Sequence, residues 1–153
     1  MKRMTYLLVA LPLLVGSNDA ATHGYKRKTL EVIHPYTFEK PEPGGRDAIV
    51  GMTLRNKGRQ TERLIGATSV IAERVEIVVP NAEGTRVDPG STKTRIEIRA
   101  GAEVELRASA AHVRLVGLKK ELAAYDTLPM TLSFERAGRL EIDVMVEEVI
   151  EKK

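Results

Sequence analysis

Leu128-Pro129-Met130-Thr131-Leu132-Ser133-Phe134, then Glu135-Arg136-Ala137-Gly138-Arg139, then Leu140-Glu141-Ile142-Asp143-Val144-Met145-Val146: apolar and polar residues alternate on both sides of a glycine-bearing turn. Period-two alternation places every second side chain on one face of a strand. Leu128, Met130, Leu132 and Phe134 share one face, and Ile142, Val144 and Val146 share another. With Ala137-Gly138 between them, the two runs predict a hairpin with a buried side. Met130 belongs to that buried stripe, whereas Met145 alternates with the acidic residues on the outer face.

Moving outward, short runs of the same kind recur between turn residues. Leu30–Ile33 stops at His34-Pro35, where the geometry before proline predicts a strand end and a structural role for His34. Ala48–Arg55 alternates, with Val50, Met52 and Leu54 on one face, and ends at Asn56-Lys57-Gly58. Arg74–Val79 ends at Pro80-Asn81, and Asp88-Pro89-Gly90 reads as a turn. Thr94–Ile98, Val104–Leu106 and His112–Val116 complete the set, and Lys119–Tyr125 is the only candidate for a helical turn. Strands at this spacing predict an all-β sandwich.

The chain has 153 residues, 42% hydrophobic and 29% charged, as expected of one globular domain. It contains no cysteine, which excludes disulfides, zinc–thiolate sites and thiol redox chemistry. A soft metal would have to be held by His or Met. Lys2 and Arg3 precede an apolar run from Tyr6 to Val15, followed by the small residues Gly16, Ser17 and Ala20. This is the pattern of a signal peptide over residues 1–20, too short for a membrane span, with residues 21–153 as a single domain. The expected location is therefore periplasmic or secreted, with no membrane span left after cleavage.

Loss of two cations and one carboxylate with that segment lowers the net charge from +3 to +2. Lys26-Arg27-Lys28 is then the one tight basic cluster, read as a solvated entry to the first strand. Aromatic residues make up 4%, too few to build stacking platforms for nucleic acid. The sequence also lacks a Gly-x-Ser-x-Gly elbow, a His-Glu-x-x-His helix and a phosphate-cradling glycine loop, so no enzyme is predicted.

Two stretches carry a family resemblance. His23-Gly24-Tyr25 with Leu30-Glu31-Val32-Ile33-His34-Pro35-Tyr36 is similar to the opening strand of the periplasmic copper chaperones of the PCu(A)C family. His112-Val113-Arg114-Leu115-Val116-Gly117-Leu118-Lys119, continuing from Asp126 through Gly138, resembles their signature strand, the turn after it and their closing hairpin. Gly51-Met52-Thr53-Leu54-Arg55-Asn56 falls between them in the expected order. The resemblance implies a cupredoxin-like Greek-key sandwich and a role in carrying copper toward respiratory oxidase centres, with a periplasmic or membrane-bound oxidase-assembly protein as partner.

The family's copper motif is His-Met, ten residues, Met, twenty-one residues, then His-x-Met. Anchored on His112, it falls on Val78, Val79, Gly90 and Arg114. Copper(I) favours thioether and imidazole donors. Valine and glycine offer none, and an arginine stays protonated beside the metal. His112 is thus the one family ligand kept, either as a remnant ligand or as a histidine with a structural hydrogen bond.

His23 is a second candidate. In a chain starting at Ala21, the amine, two backbone nitrogens and the His23 imidazole form a square-planar copper(II) or nickel(II) site. These residues fix no cofactor and leave copper open. The alternative is a metal-independent binding or assembly module on the same fold.

Overall fold

The computed structural model describes residues 24–39, 46–80 and 94–150. Ten strands run in chain order: β1 (Gly24–Arg27), β2 (Leu30–Phe38), β3 (Ala48–Asn56), β4 (Glu62–Thr68), β5 (Ala72–Val78), β6 (Ile96–Ile98), β7 (Glu103–Leu106), β8 (His112–Leu118), β9 (Thr127–Phe134) and β10 (Gly138–Glu147). They hydrogen-bond in the order β5-β8-β3-β2-β10-β9-β4-β6, with β1 added to β2 and β7 to β3. Because β4 leads straight into β5, the sheet curls almost into a closed barrel. This is the expected all-β, cupredoxin-like Greek-key sandwich.

Two strands fork. The outer edge of β3 pairs with β8 through Ala48–Val50 and with β7 through Met52–Arg55. On β2, Leu30–Ile33 pairs antiparallel with β1, and Tyr36–Phe38 pairs parallel with Met145–Glu147 of β10. The change of partner falls at His34-Pro35. This corrects the expectation of a strand end there: the strand continues through a bulge, with His34 in a left-handed conformation at φ 49°. The extra residue shifts the alternation, so Leu30 and Val32 face inward before the bulge and Pro35 and Thr37 after it. Proline lacks an N–H, and a bulge is where a sheet tolerates that.

The core takes the predicted stripes. Val50, Met52 and Leu54 meet Leu128, Met130, Leu132, Val144 and Val146, all buried. Each such side chain contributes about 2 kcal/mol of apolar burial. Met52 and Met130 are packing residues, as expected, and Met145 lies half-buried on the outer face.

Strand β4 escaped the sequence reading. Its inward position Glu62 is a carboxylate, and Gly66 breaks the alternation at a bulge. Glu62 is 5% exposed. Its Oε1 accepts the backbone N–H of Arg63 and of Arg136, both at 2.9 Å, and its Oε2 accepts that of Ala137 at 2.8 Å. A buried charge is costly unless hydrogen-bonded in this way, and here it clamps the β9–β10 turn onto β4.

The expected helical turn at Lys119–Tyr125 is absent. The segment is irregular: Leu122 packs into the core, and Tyr125 takes a left-handed backbone at φ 70°.

Candidate functional site

Strand β8 carries two of the motif positions, and β5 brings a third beside them. The strands pair antiparallel with Val78 opposite His112 and Glu76 opposite Arg114. On its other edge, β8 sets Arg114 opposite Ile49 of β3. Alternation gives Val113 and Leu115 to the core and turns His112, Arg114 and Val116 the other way. Positions 78, 112 and 114 therefore gather on one face, as the motif spacing requires. Val79 packs half-buried against the core. Gly90 and His23 lie outside the described residues, as do residues 1–20.

The side chains on this face are already engaged. His112 is 1% exposed and Val78 2% exposed, so this corner is closed to water. The His112 Nδ1 lies 3.0 Å from the Ala110 carbonyl oxygen. A carbonyl only accepts, so Nδ1 carries the proton and donates it there. The Arg114 Nη2 donates to Asp47 Oδ2 at 2.7 Å. The other oxygen of Asp47 accepts the backbone N–H of Gly117 at 3.1 Å. The Gly117 hydrogen bond foremost, then Arg114, holds the Asp47 carboxyl below its ordinary value. Behind this pair, the Arg74 Nε donates to Glu76 at 2.7 Å. Gly117 sits at φ 67°, and a Cβ on it would come within 2.6 Å of the Glu73 carboxyl carbon. Glycine is therefore required at the position that presents its N–H to Asp47.

Where the family places soft donors, this chain has an apolar side chain and an ion-paired cation. Of the described motif positions 78, 79, 112 and 114, His112 alone carries a donor that copper(I) favours. Among the described residues, no three His, Cys, Asp or Glu side chains gather as a metal-binding group. Asp47 is the residue that sequence reasoning missed. It lies far from Arg114 in the chain, and no motif marks it.

His34 stands elsewhere, on the outer face of β2. Its Nε2 is 2.8 Å from Glu147 Oε1, and its ring stacks on Tyr36 at 5.4 Å. Tyr36 in turn covers Gly51, where a Cβ would fall 2.6 Å from the ring. These contacts fit the structural role expected of His34. Among the described residues, no helix is long and apolar enough to cross a membrane.

Solved structures agree with this geometry. The copper-bound PCuAC domain from PmoF2 is 28% identical, with a TM-score of 0.69, covering 83% of this chain and 99% of that one. The apo PCuAC domain from PmoF1 superposes with a TM-score of 0.71 at 24% identity, covering 83% of this chain and 100% of that one. A copper(I) protein from Deinococcus radiodurans, DR1885, shares the fold at 24% identity and a TM-score of 0.63, over 90% of this chain and 89% of that one. No curated protein sequence matches the chain. The family model described as "Putative lipoprotein LpqE-like" matches residues 30–146. With the pairing of β8 against β5 and these PCuAC neighbours, that match places the chain in the LpqE-like family of PCu(A)C-type domains.

Proposed function

We propose that this copper-chaperone-like domain works outside the cytoplasm without holding copper(I) tightly at the family position. The observation that carries this reading is the Arg114–Asp47 ion pair at 2.7 Å, set on the same face as His112 and Val78. A metal entering there would have to break that pair and sit beside a fixed positive charge, with one imidazole as donor. The export signal read over residues 1–20 supports the location. The family supports a part in copper-centre assembly.

A copper(I) competition titration against a coloured chelator, run on the protein and on His112→Ala, tests the reading. The expected result is that neither competes. One tightly held equivalent in the protein, lost in His112→Ala, would show that the family function persists through other ligands.

The Arg114–Asp47 ion pair, with Gly117 on the second carboxylate oxygen, favours a second reading of the same domain, a metal-independent module that contacts an oxidase-assembly protein. Pull-down of an assembly partner under copper-chelated conditions tests it. Capture that requires added copper would overturn it.

A further inference from the structure

Three turns meet at one end of the barrel around a cleft of about 590 Å³. Lys28 and Thr29 come from the β1–β2 turn, Gly58, Arg59 and Gln60 from the β3–β4 loop, and Arg136 from the β9–β10 turn. The basic cluster that looked like a solvated strand entry is thus joined by cations from two distant parts of the chain.

How these cations are held decides what they can do. Lys28 Nζ donates to the Arg136 carbonyl at 3.1 Å, and Arg27 Nε to the Ala137 carbonyl at 3.1 Å. The Arg136 Nε donates to the Thr61 carbonyl at 3.1 Å and its Nη1 to the Gln60 side-chain oxygen at 2.9 Å. Those partners are neutral, so they fix the cationic groups in place and leave the charge uncancelled.

The carboxylates nearby are committed elsewhere. Glu62, on the cleft wall, keeps its charge, but it is 5% exposed and both its oxygens are turned to three backbone N–H groups, so three cations face one withdrawn carboxylate. Glu31 binds Lys26 and Lys57, and Glu135 binds Arg63. The floor is kept low by Gly58, where a Cβ would fall 2.6 Å from the Thr29 hydroxyl.

We infer that this cleft is a binding site for a phosphate group, either free phosphate or the headgroup of an anionic lipid. A carboxylate takes its strongest donors two at a time in one plane, as from a single guanidinium. Here Lys28, Thr29, Arg59 and Arg136 line one cleft from three turns, which suits a tetrahedral oxyanion with acceptors in several directions.

The test titrates inorganic phosphate into the isotope-labelled protein and follows amide shifts. In parallel, the protein is floated with vesicles of phosphatidylglycerol and, separately, of phosphatidylcholine. Expected are shifts centred on residues 28, 58–60 and 136, weakened about tenfold by Arg59→Glu and by a few-fold in Lys28→Gln, with unfolding temperatures unchanged. Raising salt to about 0.5 M should also weaken binding, because exposed charge is screened over a shorter distance.

Binding of inorganic phosphate without flotation on vesicles identifies free phosphate as the source. Flotation with phosphatidylglycerol alone, lost in Arg59→Glu, identifies the headgroup. The proposal is overturned by binding that survives Arg59→Glu, by shifts spread over all basic surfaces, by binding of an acidic peptide alone, or by no binding in either arm.

Discussion

Two groups of cations in this barrel are treated in opposite ways. On the β5–β8 face, Arg114 meets a carboxylate, Asp47, whose second oxygen is taken by Gly117. At the turn end, Lys28, Arg27 and Arg136 meet carbonyl and amide oxygens instead. A carboxylate neutralises the cation and ends its business. A carbonyl positions it and leaves its field intact. The face that corresponds to the family's copper position is electrostatically closed, and the end the motif never touches is open.

The strongest way to break this contrast is to reopen the closed face. Val78→His combined with Arg114→Met puts soft donors on both sides of His112. The double variant is expected to compete for copper(I) at least about a hundredfold better than the unaltered protein, read against the same chelator. If it gains nothing, the ion pair is not what closes the site.

Next in size is the anchor of the open end. Glu62→Ala strands one buried and two part-buried N–H groups and should lower stability by about 3 kcal/mol in urea unfolding. A loss well under about 1 kcal/mol would mean that the β9–β10 turn holds itself.

Asp47→Ala tests the closed face directly. It frees Arg114 and the Gly117 N–H, both partly exposed, and should cost about 1–2 kcal/mol.

The smallest effect concerns Glu31, which lies between the two regimes. Its hydrogen bond to Lys57 is the main cause that lowers its pKa from 4.5 to about 2, and Lys26 adds to it. A carboxyl with a lowered folded-state pKa stabilises the fold above its ordinary value, and that contribution fades as pH falls toward 2. Carboxyl resonances should place the Glu31 midpoint near 2. Lys57→Ala should move it back upward, and an unmoved midpoint would show that the pair is not the cause.

The strands were legible wherever alternation was clean, as in Val50-Met52-Leu54 and Leu128 through Phe134. They were hidden where a polar group faced inward for a reason only the folded chain supplies. Glu62 puts a carboxylate at an inward position, and β4 went unread with it. His34-Pro35 looked like a stop because local geometry before proline says so, whereas the bulge exists to let β2 change partners.

At the candidate site, alternation sets 112 and 114 on one face, and position 78 joins them only through the pairing of β5 with β8. Asp47 could not be foretold, because its meeting with Arg114 depends on β3 lying against β8. Lys26-Arg27-Lys28 was visible as a cluster, but Arg59 and Arg136 join it only through topology.

The parallel pairing of β2 with β10 sets how this protein comes into being. Tyr36–Phe38 wait for Met145–Glu147, more than a hundred residues later in the chain. Closing so long a loop is entropically uphill until the final contacts form, so folding should be slow and concentrated in one late event. Until β10 arrives, half of one edge of β2 has no neighbour. A chain cut short before residue 145 should therefore gain no barrel at all, and it would offer that edge to whatever strand it meets first.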